Sequence, residues 1–277
     1  MDREEKAGDP IVGALQPAYL PWIGFFDQVY HTDVFILYDD LAYSRKTWRN
    51  RNRIKGPHGA QWLTVPVCFR PGQKINEVRI DPGSDWRSRH IRRIEHCYRR
   101  APYFSRYWDD LLALYRREWE RLSDLNVALI RSLLGAFGIR TSLLLSSEIG
   151  LERDFQASNP PDSVSTRRIV HFLKRLGARR FLEGEAGREY IRDGLLMEAG
   201  LEVRYQSYRH RPYPQRFGGF VPYLSAIDLL FNCGPQSLPV LVNPSPFEAG
   251  PAPADPQEGA DPGGVPGAGA GTAARKP

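Results

Sequence analysis

IVGALQPAYLPWIGFFDQVYHTDVFILYDDLAYSRKTWRNRNRIK, residues Ile11 to Lys55, decides the fold. Ile11 to Leu15 reads as an apolar strand that stops at Gln16-Pro17. Proline has no N–H to give a ladder, so Pro17 and Pro21 hold an irregular loop. Ile23, Phe26, Val29 and Tyr30 recur at helical spacing and predict a short amphipathic helix. Asp33 to Tyr38 is a second apolar strand, ending in Asp39-Asp40. Strand, loop, helix, strand is the opening βαβ unit of an open α/β sheet. Such sheets bind ligands at the carboxyl ends of their strands, where Gln16, Asp39 and Asp40 fall. A polar run follows: Arg45, Lys46, Trp48, Arg49, Asn50, Arg51, Asn52, Arg53 and Lys55.

Working outward, Gly56 to Gly59 has turn composition, Trp62 to Val67 reads as a strand with Pro66 at its end or at a sheet edge, and Ile75 to Ile80 as a weaker one. Trp86 to Tyr98 and Tyr103 to Trp119 keep helical spacing. A third helix, capped by Ser123 and stopped by Gly138, completes a helical insertion around residues 85–138. Thr141 to Ser146 returns to the sheet, and a polar loop from Glu148 to Pro161 leads to a helix from Ser165 to Leu176. The strands Arg179 to Leu182 and Leu201 to Tyr205 enclose a helix from Arg188 to Glu198, a second βαβ unit whose crossover is right-handed. The fold class is therefore α/β, with a mostly parallel, Rossmann-like sheet. Tyr205 to Phe220 has no period, and Ser225 caps a helix over Ala226 to Phe231 that Gly234-Pro235 ends.

Composition sets the limits. Residues 1–9 read as a disordered leader, 10–242 as the α/β domain, and 243–277 as a disordered tail, since Pro, Gly and Ala offer too little apolar surface to offset ordering entropy. Residues 1–9 and 243–277 each hold two basic and four acidic side chains, so the net +6 of the chain becomes +10 over residues 10–242. A basic body suits an anionic partner: phosphate, nucleotide, nucleic acid or an acidic headgroup. No run reaches the roughly 18 to 20 apolar residues of a transmembrane segment, and MDREEKAGDP is too acidic for a secretory signal, so the expected location is cytoplasmic. Cys68, Cys97 and Cys233 have no CxxC spacing and read as reduced thiols, with neither a disulfide framework nor a zinc site expected.

Several motifs carry chemistry or mimic it. Gln16-Pro17-x-Tyr19-x-Pro21-Trp22-x-Gly24 occupies the place of a nucleotide loop but is neither a GxGxxG nor a Walker sequence, and it serves equally as a packing loop with Trp22 as its plug. Asp39-Asp40 offers two carboxylates to a divalent cation, or one of them to an arginine; no metal is assigned. Trp48 to Lys55 presents guanidinium forks and amides suited to phosphate or carboxylate. In an extended segment, alternation sets Arg49, Arg51 and Arg53 on one side, with Asn50 and Asn52 on the other. The arginines of 87–100 suit a solvated face, a phosphate or a membrane. His210, Tyr213 and Gln215 with Asp228 and Asn232 form a polar cluster in which histidine is the natural base near neutral pH, while Ser225-x-x-Asp228 also reads as a capping box.

QPAYLPWIGFFDQV, DVFILYDDLAYSRKTWRNRNRIK, QWLTVPV, APYF and FVPYLSAIDLLFNCG together resemble the WbqC-like family over roughly residues 10 to 238. Tyr208 to Gln215 matches that family's Y-x-H-P-x-Y-x-Q with Arg211 inserted. The resemblance implies a transferase of bacterial surface-polysaccharide (O-antigen) synthesis that moves an acyl or aminoacyl group, glycyl among them, onto a sugar. Catalysis is then expected from His210, Asp40 and Arg51. Substrate and phosphate binding is expected from Gln16, Tyr19, Trp22, Gly24, Trp48, Arg49, Asn50, Asn52, Lys55, Tyr213, Gln215, Asp228 and Asn232. The partners are an anionic small-molecule donor (an adenylate, a thioester or a charged tRNA) and a sugar acceptor; no cofactor is specified. A metal-dependent glycosyltransferase or nucleotidyltransferase, and a non-catalytic nucleic-acid-binding or assembly protein, are the alternatives.

Overall fold

One six-stranded sheet organises the computed structural model, which describes residues 9–45, 47–158, 165–244 and 247–249. Its strands are β1 (Ile11–Leu15), β2 (Val34–Leu37), β7 (Ser142–Leu145), β8 (Arg180–Gly184), β9 (Glu202–Gln206) and β10 (Phe247–Ala249), in the spatial order β10-β9-β8-β1-β2-β7. Every pair is parallel except β10 with β9. Successive strands step outward from β1 to β2 and β7, then cross to β8 and β9 on its other side. That is the doubly wound Rossmann-like order, with its switch point between β1 and β8.

Both faces of the sheet are covered, and β2 shows why its run is apolar throughout. Phe35 and Leu37 point into a core shared with α1 (Ile23–Tyr30), α4 (Leu122–Phe137) and α8 (Ala226–Cys233). Ile36 and Tyr38 point the other way, toward Ile169 and Phe172 of α6 (Ser165–Arg175) and Leu196 of α7 (Asp193–Glu198). Side chains alternate along a strand, so a strand buried on both faces cannot alternate polar with apolar. Truncating fully buried Ile36 to Ala would cost about 2–5 kcal/mol.

Helix α1 departs from its expected amphipathic face. Ile23 through Val29 are all buried, including Asp27 and Gln28, whereas Tyr30 is exposed. The helix lies between β8 and α9 (Ser237–Leu241), which covers its outer side. Gln28 Nε2 donates to Leu182 O (2.9 Å), and Asp27 Oδ2 accepts from Gln206 Nε2 (2.6 Å), so the buried polar groups are paired.

The segment between β2 and β7 holds the expected helices α2 (Trp86–Tyr98), α3 (Phe104–Arg116) and α4, together with two hairpins. The first pairs β3 (Arg51–Gly56) with β4 (Gly59–Thr64), so the strand expected over 62–67 begins earlier and stops before Pro66. The second joins β5 (Val67–Cys68) to β6 (Arg79–Ile80), while Ile75–Glu77 is a 3-10 turn. Arg121, not Ser123, holds the N-cap position of α4; Gly138 ends that helix at φ 73°, and Ile139 N reaches Leu134 O (2.9 Å).

Two other expectations change. The polar stretch after β7 contains α5 (Leu151–Ser158), whose Leu151 and Phe155 are buried beside α6. Within the stretch read as a tail, Phe247–Ala249 add to the sheet edge as β10 through backbone pairing that needs no apolar composition. Residues 1–8, 159–164, 245–246 and 250–277, and Lys46, lie outside the described residues, and with them most of the expected leader and tail.

Candidate functional site

At the switch point, where β1 and β8 send their following loops to opposite faces, the carboxyl ends of the two strands open into a cavity of about 510 Å³. Gln16 follows β1 and Glu183 lies near the end of β8, and both line it. The loop after β1 is fixed from outside. Tyr19 N donates to Trp48 O (3.0 Å), Asn52 Nδ2 to Leu20 O (2.6 Å), and Asn126 Nδ2 to Pro17 O (3.3 Å) and Arg49 O (2.7 Å). These bonds hold Leu20 at φ 43°, a left-handed conformation costly for a branched side chain and characteristic of sites whose shape is over-determined.

Arg49 is the cation of this cavity. One guanidinium nitrogen bonds Gln16 Oε1, Nε is buried without a partner, and no carboxylate pairs with it among the described residues. Desolvation lowers its pKa, which marks a charge held with little water and no counter-ion. The second arginine on the wall, Arg168, is already neutralised by two bonds to Glu152 (2.6 and 3.1 Å). Glu183 is buried, and desolvation pushes its carboxyl up to about 7, against weaker stabilisation from Gly184 N and Tyr190. It therefore exchanges a proton near neutral pH, the property asked of a general base.

Aromatic rings form the mouth. Trp22 lies over Gly24, which has no side chain to obstruct it, and its ring meets Tyr208, His210 and Tyr223 at distances of 5.2, 5.4 and 5.4 Å. Trp48 also lines the cavity and meets Trp62 at 5.5 Å.

Of the residues singled out by sequence, the cavity gathers Gln16, Trp22, Trp48, Arg49 and Asn52. The others lie elsewhere. Tyr19 is fully buried, with its hydroxyl bonded to His90 Nδ1 (2.8 Å) and to Tyr115 OH. Asn50 Nδ2 donates to Val65 O (2.9 Å), and Arg51 lies over the Trp62 ring on the outer face of the hairpin, 4.4 Å from its centroid. Arg51 and Arg53 do share a side, as alternation requires, but Arg49 precedes the strand and turns inward to Gln16.

Lys55, Tyr213, Gln215 and Asp228 come together in a buried network of their own. Lys55 Nζ donates to Gln215 Oε1 (3.1 Å) and to the carbonyls of Gly218 and Gly219, using all three of its donors. Asp228 accepts from Tyr98 OH (2.7 Å) and Tyr213 OH (2.9 Å) rather than from the Ser225 N–H, which donates to Arg53 O, so the capping-box reading fails. Asn232 Nδ2 bonds Asp228 O one turn back in α8.

Asp39 and Asp40 are held by serines, not by arginines. Ser146 Oγ stands 3.0 Å from Asp39 Oδ1 and against Asp40 Oδ1, and Ser147 gives Asp39 its N–H (3.0 Å) and hydroxyl (2.6 Å). Burial raises the Asp40 pKa. The pair thus ties β2 to the end of β7; Tyr38 and Leu41 on either side line the cavity, and the two acids do not. No group of three His, Cys, Asp or Glu side chains suited to a metal occurs among the described residues.

His210 backs Trp22 from outside the cavity. Neither ring nitrogen has a partner, and desolvation lowers its pKa to about 4, so the ring is neutral at pH 7. His210, Gln215, Asp40 and Arg51 are not gathered in the lining of this cavity. Glu183, Arg168, Tyr38 and Tyr190 line the cavity without having been singled out. Ending β8 two residues later would have put Glu183 at a strand's carboxyl end, the signal that selected Gln16.

Fold and cavity define the class: a doubly wound α/β protein with a cavity at the switch point and no helix among the described residues long and apolar enough to cross a membrane. The chain belongs to the WbqC-like protein family, which matches residues 16–240. It is similar to "Uncharacterized protein Rv1507c" of Mycobacterium tuberculosis, 36% identical over 230 residues that cover 82% of this chain and 95% of that protein. No solved structure matches it.

Proposed function

We propose that the protein is a cytoplasmic transferase of surface-polysaccharide synthesis that moves an acyl or aminoacyl group, glycyl among them, from an anionic donor onto a sugar. One observation carries the reading: Arg49, a desolvated guanidinium without a carboxylate partner among the described residues, shares the switch-point cavity with Glu183, a buried carboxyl that titrates near neutrality. Arg49 supplies the counter-charge for a donor phosphate or carboxylate. Glu183 takes the proton from the acceptor hydroxyl or amine as its oxygen or nitrogen bonds to the donor carbonyl carbon, and the leaving group departs with its bonding pair. The cavity volume lies within the usual range for small-molecule sites.

Mass spectrometry of small molecules retained by the purified protein tests this. An anion held by the wild type and by Glu183→Gln, but lost from Arg49→Met, is the expected result. With the ligand so identified, Glu183→Gln should lower turnover at least a hundredfold, the scale of general-base contributions. Retention of a neutral ligand, or indifference to Arg49→Met, would overturn the assignment.

A further inference from the structure

Of the large aromatic side chains exposed among the described residues, the four most exposed gather at one place: Trp48 (47% exposed), Tyr190 (50%), Trp62 (42%) and Tyr223 (50%) line the cavity or touch a residue of its wall, whereas Tyr30 and Phe217 are not in its lining. Concentrated exposure of large apolar rings marks a contact surface. Within that rim, Trp48 and Trp62 differ in role. The Trp62 ring is already engaged, with the Arg51 guanidinium 4.4 Å and the Arg53 guanidinium 5.8 Å from its centroid, and Arg93 Nη1 donating to its backbone carbonyl (3.0 Å). Trp62 in turn meets Trp48 at a tilt of 32°. The Trp48 indole is thus braced by one neighbour while lining the cavity.

Charge selects the partner. Arg49 lies within the cavity, Arg51 and Arg53 lie just outside it, and neither Arg49 nor Arg53 has a carboxylate partner among the described residues. An indole pair that carries guanidinium groups on one ring, Trp62, and shares its cavity with Arg49 at the other, Trp48, favours a ligand that is both planar and anionic over an uncharged sugar ring. We propose that Trp48 is a stacking platform for the base of a nucleoside phosphate, with Trp62 as its buttress and the phosphate directed to Arg49, Arg51 and Arg53. This deepens the transferase reading and rests on it: the donor's carrier becomes a nucleoside phosphate. A rotamer already braced by Trp62 loses little freedom on binding, which favours affinity without new contacts.

Titration calorimetry of the full chain with adenosine 5′-monophosphate, ribose 5-phosphate and an uncharged trisaccharide decides the matter. The nucleotide should bind at least tenfold more tightly than ribose 5-phosphate. Trp48→Leu should remove that advantage, a roughly 5- to 150-fold loss corresponding to about 1–3 kcal/mol per stacked base. Trp62→Leu should weaken binding by less, because it removes only the brace. Both residues are exposed, so neither change threatens folding. Equal affinity for the two phosphates, indifference to Trp48→Leu, or tighter binding of the trisaccharide would overturn the platform. Binding needs no turnover, so the two readings fail separately. Nucleotide binding without acyl transfer would sink the transferase alone, and acyl transfer without nucleotide binding would sink the platform alone.

Discussion

Trp22 lies so close over Gly24 that a Cβ added at residue 24 would stand 2.1 Å from the ring. Tyr208, His210 and Tyr223 pack against the indole, so displacing it costs their contacts. Gly24→Ala should therefore swing Trp22 from its place on the cavity wall. A stability loss of about 1–3 kcal/mol, typical of overpacking, and at least tenfold weaker ligand retention are expected in denaturant unfolding and binding measurements.

The buried Glu183 makes opposite demands on activity and stability. In the folded chain it titrates at about 7, above its unfolded value near 4.5, so the folded state binds more protons between these pH values. Stability should fall as pH rises through that window, and Glu183→Gln should become relatively more stabilising from pH 5 to pH 8, by on the order of 2 kcal/mol. Turnover, needing the carboxylate, should rise over the same range with an apparent pKa of about 7. A rising limb that survives Glu183→Gln would assign the base to another group.

His210 carries the reverse sign. Its folded pKa of about 4 lies below the ordinary 6.5, so the unfolded chain takes up the proton first. Stability should therefore be lost as pH falls from about 6.5 toward 4, and His210→Phe should flatten that loss in thermal melts across the range. Turnover at pH 7 should change less than threefold if the ring only packs behind Trp22.

Lys55 and Asp228 should prove structural when measured in the folded protein. Lys55→Met removes the Lys55 donor from the carbonyls of Gly218 and Gly219 and one of two donors from Gln215 Oε1, which keeps the Val221 N–H, and should cost about 3 kcal/mol. Asp228→Asn keeps an acceptor for one tyrosine and should cost less than Asp228→Ala. In either variant, ligand affinity of the folded fraction at low temperature should stay within a factor of three.

Removal of β10 tests the edge of the sheet. A chain ending at Val242 also loses Asn243, whose N–H donates to Asp27 Oδ1 (2.8 Å) and whose amide donates to Ser207 O (2.9 Å). Compared with a chain ending at Ala249, it should be less stable by about 2 kcal/mol, the scale of leaving a buried carboxylate without one donor. Equal melting temperatures would show that β10 and Asn243 are dispensable.

The parallel sheet was legible because its signals are local. Ile11–Leu15 and Val34–Leu37 are continuous apolar runs, Pro17 breaks the first, and strand-helix-strand spacing dictates parallel pairing. Gln16 and Arg49 were legible for the same reason, one from the strand-end rule and the other from a dense polar run. Glu183 was hidden by a strand boundary placed two residues short. Asp27 and Gln28 fell outside the apolar face expected of their helix, because no sequence pattern reveals that Leu182 O of β8 and Gln206 of β9, on distant segments of the chain, meet them. The roles of Lys55 and Asp228 depend on partners from distant segments, and isolated polar residues do not announce whether they meet a ligand or one another.

The cavity draws its wall from two sources with different freedom to change. Gln16 and Glu183 extend from adjacent central strands, where any shift in register would disturb both cores. Trp48 and Arg49 arrive on the approach to a hairpin whose outer face is exposed and whose tip is a two-residue turn. Substitution of the exposed side chains along that hairpin would therefore change what the rim presents while Gln16 and Glu183 stay in place, provided that Asn52 and the Trp48 carbonyl keep their bonds to the loop after β1. The rim and the sheet are thus separable: exposed side chains such as Trp48 and Trp62 can vary without touching strand register.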